Sequence, residues 1–165
     1  ENPTISTGTF QVTEERTKKW LIDLVINRDD RLIFMIHDLN HEPLGHIGFS
    51  AIDFENNSVE LDSVLRGKKN ILKGLMSQCV KRIIQFGFDE LKFSEIALSV
   101  FSDNLNAVDF YKKLNFKVIN KTPLIKIIKK DEIKYEEAKD ITNQKIEKYY
   151  LKMRFQKNKN KNGFE

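Results

Sequence analysis

The sequence predicts an α+β domain built on a mixed, mostly antiparallel sheet with a βαβ crossover at its centre. Three observations lead there. Short apolar segments separated by turn residues fill positions 32–65. The apolar spacing then switches to three- and four-residue steps over 72–89. Alternation returns at 96–100, before a second and shorter helical stripe at 107–114. A crossover of this kind sets two strands side by side in parallel. Where such strands part, their backbone groups are free to bind an extended ligand.

The elements follow in order. Residues 1–9 read as loop and begin without an initiator Met, as in a chain that is trimmed or lacks an upstream segment. Thr13 before Glu14 and Glu15 is a helix start: its hydroxyl caps free N–H groups and the acids suit the positive end of the dipole. Trp20, Leu21, Leu24 and Val25 continue it at helical spacing. Residues 32–36 are apolar and partly β-branched, and Asn40, His41 and Pro43 turn the chain into a return strand at 44–54. A second turn at Glu55, Asn56 and Asn57 leads to a strand at 58–65. Leu72, Leu75, Met76, Cys79, Ile83 and Phe86 then mark a long amphipathic helix to about residue 89. A strand at 96–100, a helix carrying Ala107, Phe110, Tyr111 and Leu114, and a strand at 116–119 follow. A charged connection of no clear period precedes a last strand at 149–155.

Composition narrows the classes of function. A chain of 165 residues suits a single domain with a sizeable core, assigned to 1–155, leaving 156–165 as a basic flexible tail. With 40% hydrophobic and 32% charged residues the chain is neither disordered nor fibrous in type. No apolar run reaches bilayer length, no export segment is visible, and Cys79 is the single cysteine. A cytoplasmic protein without membrane association or disulfides is therefore expected. The net charge of +4 draws much of its excess from the tail, and no basic stripe with stacking aromatics appears elsewhere. A nucleic-acid partner is accordingly not expected. His37, His41 and His46 lack metal-ligand spacing, so no metal is expected; His46, near Gly45 and Gly48, reads as structural or substrate-facing. Cys79 lies on the apolar stripe of its helix and reads as packing.

Chemistry concentrates in two stretches. Residues 66–74 lie between a strand and a long helix, where free N–H groups and the helix dipole meet an anion. Gly67 and Gly74 allow close backbone approach, and Lys68, Lys69 and Lys73 add charge, although a basic loop here is also an ordinary solvated one. The second stretch is Asn104-Leu105-Asn106-Ala107-Val108-Asp109-Phe110-Tyr111-Lys112-Lys113-Leu114-Asn115-Phe116.

This stretch resembles the motif Asn-x-x-Ala-(aliphatic)-x-(apolar)-Tyr-x-x-x-Gly-Phe of the GNAT superfamily of N-acetyltransferases. Residues 64–78 are similar to that family's strand, pyrophosphate loop and helix. The likeness runs from about residue 32 to 119, toward the bacterial branch that holds amino-sugar and ribosomal-protein N-acetyltransferases. Three departures stand out. Lys69 and Leu72 replace the loop's usual Gln or Arg and its Gly, with Gly74 alone retained. Asn115 replaces the motif's Gly, a position that Asn tolerates in left-handed backbone. The family's first strand and first helix have no evident counterpart.

The resemblance implies acetyl-coenzyme A as co-substrate, lying in the gap between the strands at 58–65 and 95–100. Val64, Leu65 and Arg66 would flank its pantetheine arm, and Lys69, Asn70, Ile71, Leu72, Lys73, Gly74 and Leu75 its pyrophosphate. Asn104 would bond the coenzyme or simply cap its helix, or both. Tyr111 resembles the tyrosine that gives a proton to the departing thiolate; the plain alternative is that it completes a core stripe with Ala107 and Phe110. Glu60 and Asp62 share one face of their strand, and either is able to take the ammonium proton directly or through water. Glu60 is favoured as the base by resemblance to a glutamate on this strand, against an ordinary exposed strand face for both. The acceptor implied is a small primary amine, a free or nucleotide-linked amino sugar ahead of a protein N-terminus, and a homodimer is compatible with the family. The competing reading is a non-catalytic GNAT-like domain that binds acyl-coenzyme A or a partner protein.

Overall fold

A computed structural model describes residues 8–9, 13–67, 72–129 and 132–157. The chain order is β1 (Gly8–Thr9), α1 (Glu14–Leu21) running into a π-helical turn (Ile22–Ile26), β2 (Leu32–His37), β3 (Pro43–Asp53), β4 (Ser58–Arg66), α2 (Leu75–Asp89), β5 (Glu95–Phe101), α3 (Leu105–Lys113), β6 (Phe116–Lys129), β7 (Glu132–Glu137) and β8 (Lys148–Phe155). Among the described residues the strands form one sheet in the order β1-β7-β6-β8-β5-β4-β3-β2. The β4–β5 pair, joined through α2, is parallel, and each of the other neighbouring pairs is antiparallel. The mixed α+β sheet with its central crossover is the architecture expected from the period changes.

Register explains which face meets the helices. Phe49 lies opposite Leu61, Val59 opposite Ile96, Leu98 opposite Met153 and Val100 opposite Leu151, so all eight point to one side. They form the core with Val80, Ile83 and Ile84 of α2 and with Val108 of α3. Gly87 lets α2 press close: a Cβ there would lie 2.9 Å from both Ile96 Cδ1 and Phe49 Cζ. The other face carries Glu60, Ala97, Ser99, Phe101, Tyr150, Lys152 and Arg154, again by register and alternation.

Three differences from the expected elements have physical causes. The long helix begins at Leu75 rather than 72, because Gly74 takes a left-handed φ of 87° and ends the helical path; Leu72 is 80% exposed and off the stripe. The strand expected at 116–119 runs on to Lys129 and turns back as β7. Much of that hairpin is exposed, so no apolar alternation marks it in the sequence. A short strand also precedes α1, in the stretch that reads as loop: the two residues of β1 pair with β7 at the far edge, too short for a periodic signal. Thr13 caps α1 as expected, accepting from the Arg16 N–H at 3.2 Å. Gln156, placed in the tail by sequence, donates its N–H to the Asn115 carbonyl, and Asn115 Nδ2 donates to the Gln156 carbonyl.

Candidate active site

The parallel ladder between β4 and β5 is short. It pairs Ser58 with Glu95, Val59 with Ile96 and Glu60 with Ala97, and then stops, while β4 continues to Arg66 and β5 to Phe101. Two strands that start paired and then diverge leave a wedge whose facing edges have no strand partner among the described residues. The divergence has a local cause. Between β3 and β4 the register moves from Gly48 opposite Asp62 to His46 opposite Leu65, which inserts one extra residue into β4. Ser63 takes that bulge at φ 54°, its N–H bonded to Asp62 Oδ1 at 2.6 Å. A bulge bends its strand and sharpens the twist, and this one turns β4 away from β5. His46 holds it in place: its Nδ1 lies 2.7 Å from the Ser63 carbonyl oxygen. A carbonyl only accepts, so Nδ1 carries the proton.

The residues expected to hold the pantetheine arm, Val64, Leu65 and Arg66, lie on β4 beyond the bulge, along the wedge. Leu75 opens α2, and Leu72, Lys73 and Gly74 precede it. Gly74 is the N-cap and has no side chain to satisfy the free N–H groups, and the first turn holds no acidic residue. Among the described residues no side chain caps the positive end of this fifteen-residue helix, where the Leu75 N–H reaches the Leu72 carbonyl at 3.1 Å, and such an end suits an anion. Lys69, Asn70 and Ile71 lie outside the described residues. Asn104 caps α3, its Oδ1 accepting from the Ala107 N–H at 3.2 Å, so the capping role is met by geometry.

Tyr111 packs edge-on against Phe110 and Phe116. Burial first, and then the Asp62 carboxylate, push its phenol up to about 12. The phenol therefore keeps its proton throughout the neutral range, and its electrostatic link to Asp62 brings α3 and β4 to one place. Burial, followed by Asp62 and Glu60, also raises the Tyr150 phenol above its ordinary value. Tyr150 lies opposite Phe101, with the two rings 5.0 Å apart. Two carboxylates of β4 are thus linked electrostatically to tyrosines of α3 and β8.

Neither carboxylate is alone. Glu60 Oε1 lies 3.3 Å from Lys152 Nζ, and Asp62 Oδ2 lies 3.4 Å from an Arg31 guanidinium nitrogen. Farther along the same face Glu95 pairs with Arg154 and Asp103 with Lys148, each at 3.0 Å. Tyr150, Lys152 and Arg31 were absent from the sequence reading. Only the register of β8 against β5 brings the first two here, and that register depends on a connection with no readable period.

Cys79 belongs to α2, packed against the core, and burial raises its thiol. Among the described residues no group of three or more His, Cys, Asp or Glu is placed to hold a metal ion. No described helix is long and apolar enough to cross a membrane.

Known proteins share this fold. Residues 1–117 match the family model of the acetyltransferase (GNAT) domain. An uncharacterised N-acetyltransferase, p20 of Bacillus licheniformis, is 32% identical over 75 residues, which span 46% of this chain and 42% of that relative. The match thus covers less than half the length of the relative. The spermidine N-acetyltransferase of Vibrio cholerae in complex with CoA and spermine superposes with a TM-score of 0.63 at 16% identity, covering 88% of this chain and 76% of its own. A mutant of the same enzyme gives 0.65 at 17% identity over 89% and 81%. At such identities the structural likeness is one of fold, while the family model spans most of the sequence and includes both strands of the wedge: the chain belongs to the GNAT acetyltransferase family.

Proposed function

We propose that this protein binds acetyl-coenzyme A in the wedge between β4 and β5 and transfers the acetyl group to a primary amine, a free or nucleotide-linked amino sugar. One observation carries the reading: the parallel ladder ends at Glu60 and Ala97 although both strands continue. The open edges of β4 and β5 fit an extended amide arm, and the N-terminal end of α2, which no described side chain caps, fits a diphosphate. When bound, acetyl-coenzyme A supplies an acyl group activated as a thioester.

The protein's own residues then supply position and protons. Glu60 or Asp62 takes the proton of the acceptor's ammonium, directly or through water, and Glu60, at the last rung of the ladder, is the better placed. Tyr111 donates a hydrogen bond to the leaving sulfur. With the phenol at about 12 and a thiol near 8.5, the hydrogen bond is favoured over complete proton transfer. Tyr111 thus acts chiefly by stabilising the developing negative charge, a contribution worth roughly 10²- to 10³-fold in rate for a single donor.

The test pairs binding with turnover. Calorimetry should detect acetyl-coenzyme A binding, and thiol release should follow with an amino-sugar acceptor. Tyr111→Phe should lower kcat by roughly a hundredfold or more while binding persists; full turnover in that variant would remove Tyr111 from the mechanism. Binding of the coenzyme with no thiol release on any amine would mark instead a non-catalytic acyl-coenzyme A-binding domain.

A further inference from the structure

The carboxylate best placed to accept the amine proton is occupied by a cation of the protein itself. Lys152 and Glu60 stand on β8 and β4, with β5 between them. Their side chains meet across β5 at 3.3 Å, over a floor made small by Ala97 and Ser99. Both ends are half-exposed, with 44% of the lysine side chain and 31% of the glutamate side chain open to solvent. A pair so exposed holds weakly and is readily exchanged for a better partner.

The same face is balanced in charge. Glu60, Asp62, Glu95 and Asp103 each have their own cation, in Lys152, Arg31, Arg154 and Lys148. A purely cationic acceptor finds no unclaimed carboxylate among these, and to take Glu60 it must leave an ammonium group of the protein stranded beside it. An amine that also bears an anionic group meets both halves of the pair. Its anion takes Lys152, with Arg154 two residues along the same strand face, and its ammonium takes the released Glu60.

We infer that the acceptor is a primary amine carrying a phosphate or carboxylate, and that this anion frees Glu60 by drawing Lys152 away. The inference rests on the acetyltransferase reading and goes further, because it separates anionic amines from polyamines at the same site. Lys152 is here a specificity residue that senses acceptor charge, and Glu60 receives the ammonium proton only once the lysine has moved.

Calorimetry with coenzyme A present tests the inference using glucosamine 6-phosphate, glucosamine and spermidine, and it needs no turnover. The phosphorylated sugar should bind most tightly, by roughly ten- to hundredfold over glucosamine. In Lys152→Met that preference should disappear, and in Lys152→Arg it should persist. Tighter binding of spermidine, equal binding of the two sugars, or a preference untouched by Lys152→Met would overturn the inference. Thiol release measured alongside keeps the two readings apart. Turnover that favours spermidine refutes the acceptor class alone, while silence with every amine refutes the transferase reading and leaves the binding order to judge the acceptor.

Discussion

At the scale of single residues, the buried phenol of Tyr111 should leave a mark on stability, apart from the role in rate proposed for it. Its pKa is about 12 in the folded protein and about 10 in an unfolded chain. Below pH 10 both states hold the proton and the group is neutral in its effect on the slope. Between pH 10 and 12 the unfolded chain releases its proton while the folded protein keeps it, so stability falls as pH rises. Two units correspond to roughly 2 to 3 kcal/mol. Tyr111→Phe should flatten the alkaline end of a urea-unfolding series over that range, and an unchanged alkaline loss would show that the phenol is not held in a desolvated site. Residues of this kind were legible in part. Tyr111 and Glu60 stood out because each lies in a stretch with a recognisable local pattern. Tyr150 and Lys152 did not, since a tyrosine and a lysine on an exposed-looking strand carry no local mark. Their meaning comes from partners on β4 some ninety positions away.

At the scale of elements, the wedge depends on a single inserted residue. Ser63 lies at φ 54°, a region that costs a residue with a Cβ roughly 1 kcal/mol or more, and the His46 ring and the Asp62 carboxylate hold it there. Deleting Ser63 would restore an even β3–β4 ladder, with Leu65 still opposite His46 and Arg66 opposite Gly45, and would remove the bend that turns β4 from β5. Acetyl-coenzyme A should then bind at least about tenfold more weakly, since the loss of even two backbone hydrogen bonds of ordinary strength is enough. Coenzyme titration against a variant shown to be folded by circular dichroism checks this, and unaltered affinity would move the binding site away from the bulge. The bulge itself was not legible in the sequence, because the apolar alternation of 58–65 reads equally well as a plain strand. The existence of α2 was legible from period, but its core face was not fully so: of the stripe read from the sequence Ile83 alone is fully buried, and Val80 and Ile84 beside it lie deepest. The β6–β7 hairpin was not legible, because an exposed ribbon imposes no apolar period on its residues.

At the scale of the whole molecule, one continuous sheet carries both walls of the site. β4 and the β2–β3 hairpin form one wall, β5 and the late strands the other, and α2 and α3 bridge them through a common core. Because the two walls share that core, a ligand seated between them should stabilise the entire fold and not just a loop. The size of the effect follows from linkage. At a hundred times its dissociation constant, a ligand that binds only the folded state adds about 2.7 kcal/mol. For a chain of this length each kcal/mol raises Tm by roughly 2–4 °C, so acetyl-coenzyme A should raise it by roughly 5–10 °C. Tyr111→Phe should show nearly the same shift if, as proposed, the phenol serves the leaving sulfur and the backbone edges serve the arm. Thermal melts of both proteins, with and without coenzyme, separate grip from chemistry. An equal shift with turnover lost places Tyr111 in the reaction, whereas loss of the shift in the variant would make Tyr111 a wall of the binding cleft.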